Sequence, residues 1–259
     1  MKLEEATRKQ NSWVVIPKPN FRATLRLFCF PYAGGAAHIY RSWSDTFPPF
    51  VEVCSVQLPG RGTRIREKPL SDLRQVVQEA AQGLQPYFDR PFAFFGHSMG
   101  ALISYELTRQ LESENKTGPK HLFVSAHRAP HLPRIEPSFY DLPDDELIDE
   151  LRRLKGTPSE VLENPELMHL MLPLMRADFS VCQIYDYRAA AQPLACPITV
   201  FGGLEDTVTN EQLQEWQQHT AATFKLKLFP GDHFFIHTSQ ESLLRELAQE
   251  LLPLASPTS

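Results

Sequence analysis

The sequence predicts an α/β fold, a doubly wound and mostly parallel sheet with an inserted helical lid, on three observations. Short β-rich runs recur, each bounded by Pro, Gly or charge. Segments with helical spacing separate them, and one stretch, 128–193, breaks that rhythm with helix signals alone.

Taken in chain order, residues 1–22 are polar, contain Pro17 and Pro19, and read as a poorly ordered lead-in. Strands are expected at 25–30, 51–56, 92–95, 121–125, 198–201 and 224–229. Helices are expected at 70–87, 101–111, 210–219 and 241–252, the last with Leu243, Leu244, Leu247, Leu251 and Leu252 along one face. The core is thus 23–127 together with 194–254, and 255–259 is a tail. Within 128–193 the helix starts are Pro143-Asp144-Asp145-Glu146 and Asn164-Pro165-Glu166, followed by Met168, Met171, Leu172 and Met175. An insertion placed there is expected to cover the carboxyl edge of the sheet, where open α/β sheets hold their ligands. The plainer alternative is a helical subdomain that only packs.

Composition narrows the classes of function. The chain has 259 residues, 42% hydrophobic and 22% charged, enough for one domain with an insertion. Lys and Arg number 26 against 31 Asp and Glu, for a net charge of −5, which argues against a nucleic-acid surface or a polybasic membrane anchor. Cys29, Cys54, Cys182 and Cys196 form no CxxC pair and read as small core residues. The first residues mix both charge signs where a secretion signal would be apolar, and no run of 18 apolar residues occurs, so a cytoplasmic setting is expected; a monomer is the expected oligomeric state.

The chemistry starts at Gly96-His97-Ser98-Met99-Gly100, which follows the apolar run 92–95 and precedes a helical segment. Strand, GxSxG and helix in that order make the nucleophile elbow of the α/β-hydrolase fold, in which a tight turn lifts the serine clear of the sheet. Ser98 is therefore the candidate nucleophile. His97 is adjacent, but a neighbour in such an elbow points away from the serine and is expected to pack.

In this fold the triad runs nucleophile, acid, base along the chain. Of the histidines after Ser98, only His233 directly follows a late strand, through Pro230-Gly231-Asp232, so it is the candidate base. His237 lies four residues on and invites a zinc reading, which fails for want of an HExxH pattern or a third ligand at a sensible spacing. Asp206 lies just past the strand ending at 201 and is the candidate acid, with Glu205 its chemical alternative. The oxyanion would be met by two backbone amides: Met99, after the nucleophile, and Ala33, in the glycine-rich loop 30–36. No metal and no cofactor is called for. A catalytically idle binding protein on the same fold is the reading of another class.

With those residues in hand, the chain resembles the discrete type II thioesterases that accompany nonribosomal peptide and polyketide synthases. The resemblance rests on Phe28-Cys29-Phe30-Pro31-Tyr32-Ala33-Gly34-Gly35, on 57–64 (QLPGRGTR), on 96–100, on Gly202-Gly203-Leu204-Glu205-Asp206 and on Gly231-Asp232-His233-Phe234-Phe235. It implies hydrolysis of acyl groups from the phosphopantetheine arm of an acyl or peptidyl carrier protein, met transiently. Tyr32 stands where the family usually has a histidine. The medium-chain thioesterases of animal fatty-acid synthesis look similar too, and a carboxylesterase would use the same groups. Arg61, Arg64, Arg66 and Lys68 have two readings, a docking patch for an acidic carrier protein or a solvated loop with internal salt bridges.

Overall fold

The fold is seen in a computed structural model that describes residues 13–134, 137–189 and 192–255. Seven strands form one sheet: β1 (Val14–Val15), β2 (Leu25–Phe30), β3 (Val51–Val56), β4 (Phe92–His97), β5 (Leu122–Ser125), β6 (Ile198–Gly203) and β7 (Phe224–Phe229). Their order is β1-β3-β2-β4-β5-β6-β7, with every pair parallel except β1 with β3. Chain order reverses at β2, so crossovers to either side put helices on both faces.

That double cover explains why the strands read as near-continuous apolar runs. Alternate residues point to opposite sides. Phe28, Phe30, Phe92, Phe94, Leu122, Val124, Ile198 and Val200 pack in one cluster, beneath α1 (Leu73–Leu84) and α2 (Met99–Ser113). Leu25, Leu27, Cys29, Ala93, Phe95, Phe123 and Phe201 pack in the other, against the 3₁₀ segment Ala37–Asp45 and α8 (Gln240–Leu251). Each side chain of Leu or Phe size fully buried in this way contributes about 1.5 to 3 kcal/mol.

Between β5 and β6 lie α3 (Asp144–Leu154), α4 (Ser159–Leu162) and α5 (Pro165–Gln183). The signal at 164 works as expected: Asn164 caps α5 by accepting from the amides of Glu166 and Leu167, with Pro165 in the first turn. These helices carry their own apolar cluster of Phe139, Leu147, Leu151, Leu162, Met168, Leu172, Met175 and Phe179. The expected helix over 210–219 is instead α6 (Asn210–Gln214) followed by a 3₁₀ stretch, and α7 (Phe235–Thr238) is a single turn before α8.

Two features depart from the sequence reading. Residues 13–22 are not a loose lead-in: Val14 and Val15 pair with Val56 and Ser55, and Trp13 is buried with the Arg64 guanidinium 4.5 Å from its ring centroid. Residues 1–12, and 256–259 of the expected tail, lie outside the described residues. The second departure concerns the basic cluster. Arg61 and Arg64 are buried, Arg61 on Asp178 and Arg64 on Glu67 and the Gln57 carbonyl, while only Arg66 and Lys68 are exposed. Four adjacent positive charges are thus not a surface patch. Among the described residues no helix is long and apolar enough to cross a membrane.

Candidate active site

Ser98 ends the turn from β4 into α2 with φ 54° and ψ −116°, a strained conformation for a residue with a side chain. The turn is possible because its flanking glycines permit contact that no Cβ could. A Cβ on Gly96 would lie 2.1 Å from the Gly100 carbonyl oxygen, and one on Gly100 would lie 2.2 Å from that of Phe30. The Ser98 amide is held by the Ser125 carbonyl at 2.8 Å, so the neighbouring strand β5 fixes the elbow in place. Met99 opens α2, and its amide is among the first four, which have no acceptor inside a helix.

His233 and Asp206 come together across the ends of β7 and β6. The His233 Nδ1 lies 3.0 and 3.1 Å from the two carboxylate oxygens of Asp206, whose side chain is 1% exposed against 29% for the histidine. Gly203 makes this approach possible, since a Cβ there would meet the carbonyl oxygens of Asp232 and Gly231 at 2.5 and 2.6 Å. The Val208 amide also donates to Asp206, at 3.2 Å. The acid in contact with the histidine is therefore Asp206, and its neighbour Glu205 is exposed beside it.

Ser98, Ala33, Asp206 and His233 line one cleft of about 410 Å³ at the carboxyl edge of the sheet. The insertion contributes Phe139, Leu151, Met175 and Phe179 to its apolar lining, beside Ala126, Val208 and Phe234 of the core. Among the described residues, no hydrogen bond joins the Ser98 hydroxyl to His233. Such bonds commonly tighten only once substrate is bound. Cys182 lines the cleft as well, but burial pushes its thiol up to about 12, so it stays protonated and does not compete as a nucleophile.

In the loop after β2, the Gly34 amide donates to Asp178 at 2.7 Å and the Gly35 amide to the Tyr32 carbonyl at 2.9 Å. Tyr32 closes one side of the cleft, its hydroxyl 3.0 Å from His237 Nε2 and its ring edge-on to Phe234. Burial raises the pKa of Tyr32 and lowers that of His237, so both are neutral. His237 is thereby occupied away from Asp206. Among the described residues no three His, Cys, Asp or Glu side chains are grouped to hold a metal ion.

One residue does more than the sequence suggested. His97 is buried, as expected of packing, yet it also bridges the Ser125 hydroxyl and the backbone carbonyl of His233, each at 2.9 Å. Its sequence signal was its place beside Ser98. A larger groove of about 1110 Å³, lined from α1, α2 and the end of α5, contains none of these groups.

A family model described as "Thioesterase domain" matches residues 25–251. The chain is 46% identical over 248 residues to the gramicidin S biosynthesis protein GrsT of Aneurinibacillus migulanus, covering 95% of this chain and 96% of that one. It is 32% identical to the human medium-chain S-acyl fatty acid synthase thioesterase, covering 96% and 95%. Among solved structures it is similar to the type II thioesterase BorB of the borrelidin cluster, with a TM-score of 0.84 and 35% identity over 92% of this chain and 97% of that one. Sheet order, elbow and motif matches thus agree over nearly the whole length, and the chain belongs to the thioesterase family, within the discrete type II enzymes, as an α/β-hydrolase that cleaves thioesters.

Proposed function

We propose that the chain hydrolyses acyl groups from the phosphopantetheine arm of carrier proteins in nonribosomal peptide or polyketide synthesis, with Ser98 as nucleophile, His233 as base and Asp206 as acid. The observation that carries this reading is the His233 to Asp206 hydrogen bond in the cleft that Ser98 lines. With Nδ1–H donated to a buried carboxylate, the imidazole keeps its Nε2 lone pair for the serine proton and Asp206 stabilises the imidazolium that results.

Ser98 Oγ attacks the thioester carbonyl as His233 takes its proton. The tetrahedral oxyanion is met by the amides of Met99 and Ala33. Collapse breaks the C–S bond, and the pantetheine thiol leaves with the proton held by His233. Water, deprotonated by the same histidine, then attacks the acyl-serine; Ser98 is regenerated and the free acid departs. The insertion acts as a lid whose apolar wall receives the acyl chain. The carrier protein is met transiently by a monomeric, cytoplasmic enzyme; the four cysteines, all free thiols, suit a reducing setting.

The test is a comparison of kcat/KM for acyl groups presented on a carrier protein, on coenzyme A and as p-nitrophenyl esters. The carrier-bound thioesters should be turned over best, and Ser98→Ala should abolish turnover of all three. The likeness to the medium-chain fatty acyl enzyme supports a second reading, for which preference would follow acyl length and not the carrier.

A further inference from the structure

Asp178 sits on α5, more than a hundred residues from the loop it touches, with a side chain only 1% exposed. Its carboxylate accepts three hydrogen bonds of 2.7 Å: Arg61 Nη2 on Oδ1, and Arg61 Nη1 together with the Gly34 amide on Oδ2. Arg61 reaches on to the Gly35 carbonyl at 3.3 Å. Two charges withdrawn from water in this way gain little net stability over an apolar pair of the same volume. The arrangement has a geometric product instead: it holds a loop.

Between Tyr32 and Gly34 the chain has two peptide planes, and both are pinned. The Gly34 amide, bound to Asp178, sets the plane shared with Ala33. The Tyr32 carbonyl, bound by the Gly35 amide, sets the plane that contains the Ala33 N–H. In a trans peptide the C=O and N–H are antiparallel, so the Ala33 N–H is aimed away from Gly35. Releasing Gly34 from Asp178 frees the torsions of Ala33 and the hairpin-like turn that orients it.

We propose that Asp178 is a positioning residue for the oxyanion hole: through the Gly34 amide, and with Arg61 as its counterion, it aims the Ala33 N–H at the developing oxyanion and couples the helical insertion to catalysis. This rests on the reading of Ser98 as nucleophile and Ala33 as donor.

Two variants and one probe test it. Asp178→Asn keeps the shape and removes the charge, while the double variant Arg61→Met with Asp178→Leu removes the pair without leaving a lone buried ion. The probe is an alkyl trifluoromethyl ketone, which forms a hemiketal oxyanion on a serine and has no leaving group. Both variants should lose about 100-fold in kcat, the order of effect of a displaced reacting group, with KM within about threefold. Affinity for the ketone should fall by about the same factor, while circular dichroism and a cooperative melt show the double variant folded. A folded double variant with kcat and ketone affinity both within about threefold of the parent overturns the proposal. So does a loss of kcat with ketone affinity unchanged, because the damage then lies outside the hole. If the double variant does not fold, Asp178→Asn decides on the same two numbers. Turnover surviving in Ser98→Ala strikes the serine reading itself, which separates the two failures.

Discussion

The Nε2 of His97 lies 2.9 Å from the backbone carbonyl of His233, and its Nδ1 lies 2.9 Å from the Ser125 hydroxyl. Burial, reinforced by the charge that His233 can carry, holds the pKa of His97 well below the ordinary histidine range, so the ring is neutral with a single proton. A carbonyl can only accept, which puts that proton on Nε2 and makes Ser125 the donor to Nδ1. The residue beside Ser98 therefore also anchors the backbone of His233.

His97→Phe keeps a ring in the cavity and removes both bonds. We expect kcat to fall about 10- to 100-fold with KM within about threefold, since a displacement of the base near 1 Å is costly. His97→Gln, whose amide nitrogen takes the place of Nε2 and can still donate to the carbonyl, should recover part of the loss; steady-state kinetics of the two variants checks this.

Asp206→Asn should leave the fold intact and lower kcat by about 10⁴-fold, the size of effect seen when a triad acid loses its charge and the histidine tautomer is wrong. Labelling of Ser98 by a fluorophosphonate should slow in parallel. Labelling at the parent rate would move the acid elsewhere, with Glu205 the first residue to try.

Gly100→Ala adds a Cβ 2.2 Å from the Phe30 carbonyl oxygen and 2.8 Å from that of Pro31, both backbone atoms. Neither can swing aside. We expect destabilisation of about 1 to 3 kcal/mol or more, read as a lower denaturant midpoint, together with loss of activity as β2 and α2 are pushed apart.

Acid should destabilise the protein before its carboxylates titrate. Burial pushes His121 and His219 down to about 4, and His97 is lowered as well. The unfolded chain takes up protons below pH about 6.5 while these folded groups do not, so stability rises with pH across that window and is lost as pH falls from 6.5 toward 4. Each such histidine contributes at most about 1.4 kcal/mol per pH unit. Urea titrations at pH 7.5 and 5.5 should show the drop.

Five of the seven strands were legible because both of their faces are covered and the sequence carries near-continuous apolar runs, while β7, at the sheet edge, was legible from the alternation of Phe224, Leu226 and Leu228 with Lys225 and Lys227. β1 was not, because two residues, Val14 and Val15, have no periodicity to read and their pairing with β3 is set by Trp13 packing next to Arg64. The 3₁₀ segment Ala37–Asp45 was missed for a similar reason: Tyr40 and Trp43 are fully buried, but three residues apart on a tight helix they match neither the helix nor the strand pattern well. At the site, Ser98 is marked in the sequence by GxSxG between a strand and a helix, and Asp206 and His233 by strand ends and chain order. Asp178 carried no such mark. Its partners Gly34 and Arg61 are more than 100 residues away, and one acidic residue in an amphipathic helix looks like any solvated charge.

Phe139, Leu151, Met175 and Phe179 belong at once to the insertion's own apolar cluster and to the wall of the cleft. None of them is part of the two clusters that clamp the sheet. If the wall receives the acyl chain as proposed, acyl preference can change through four side chains that lie outside the apolar clusters on the sheet.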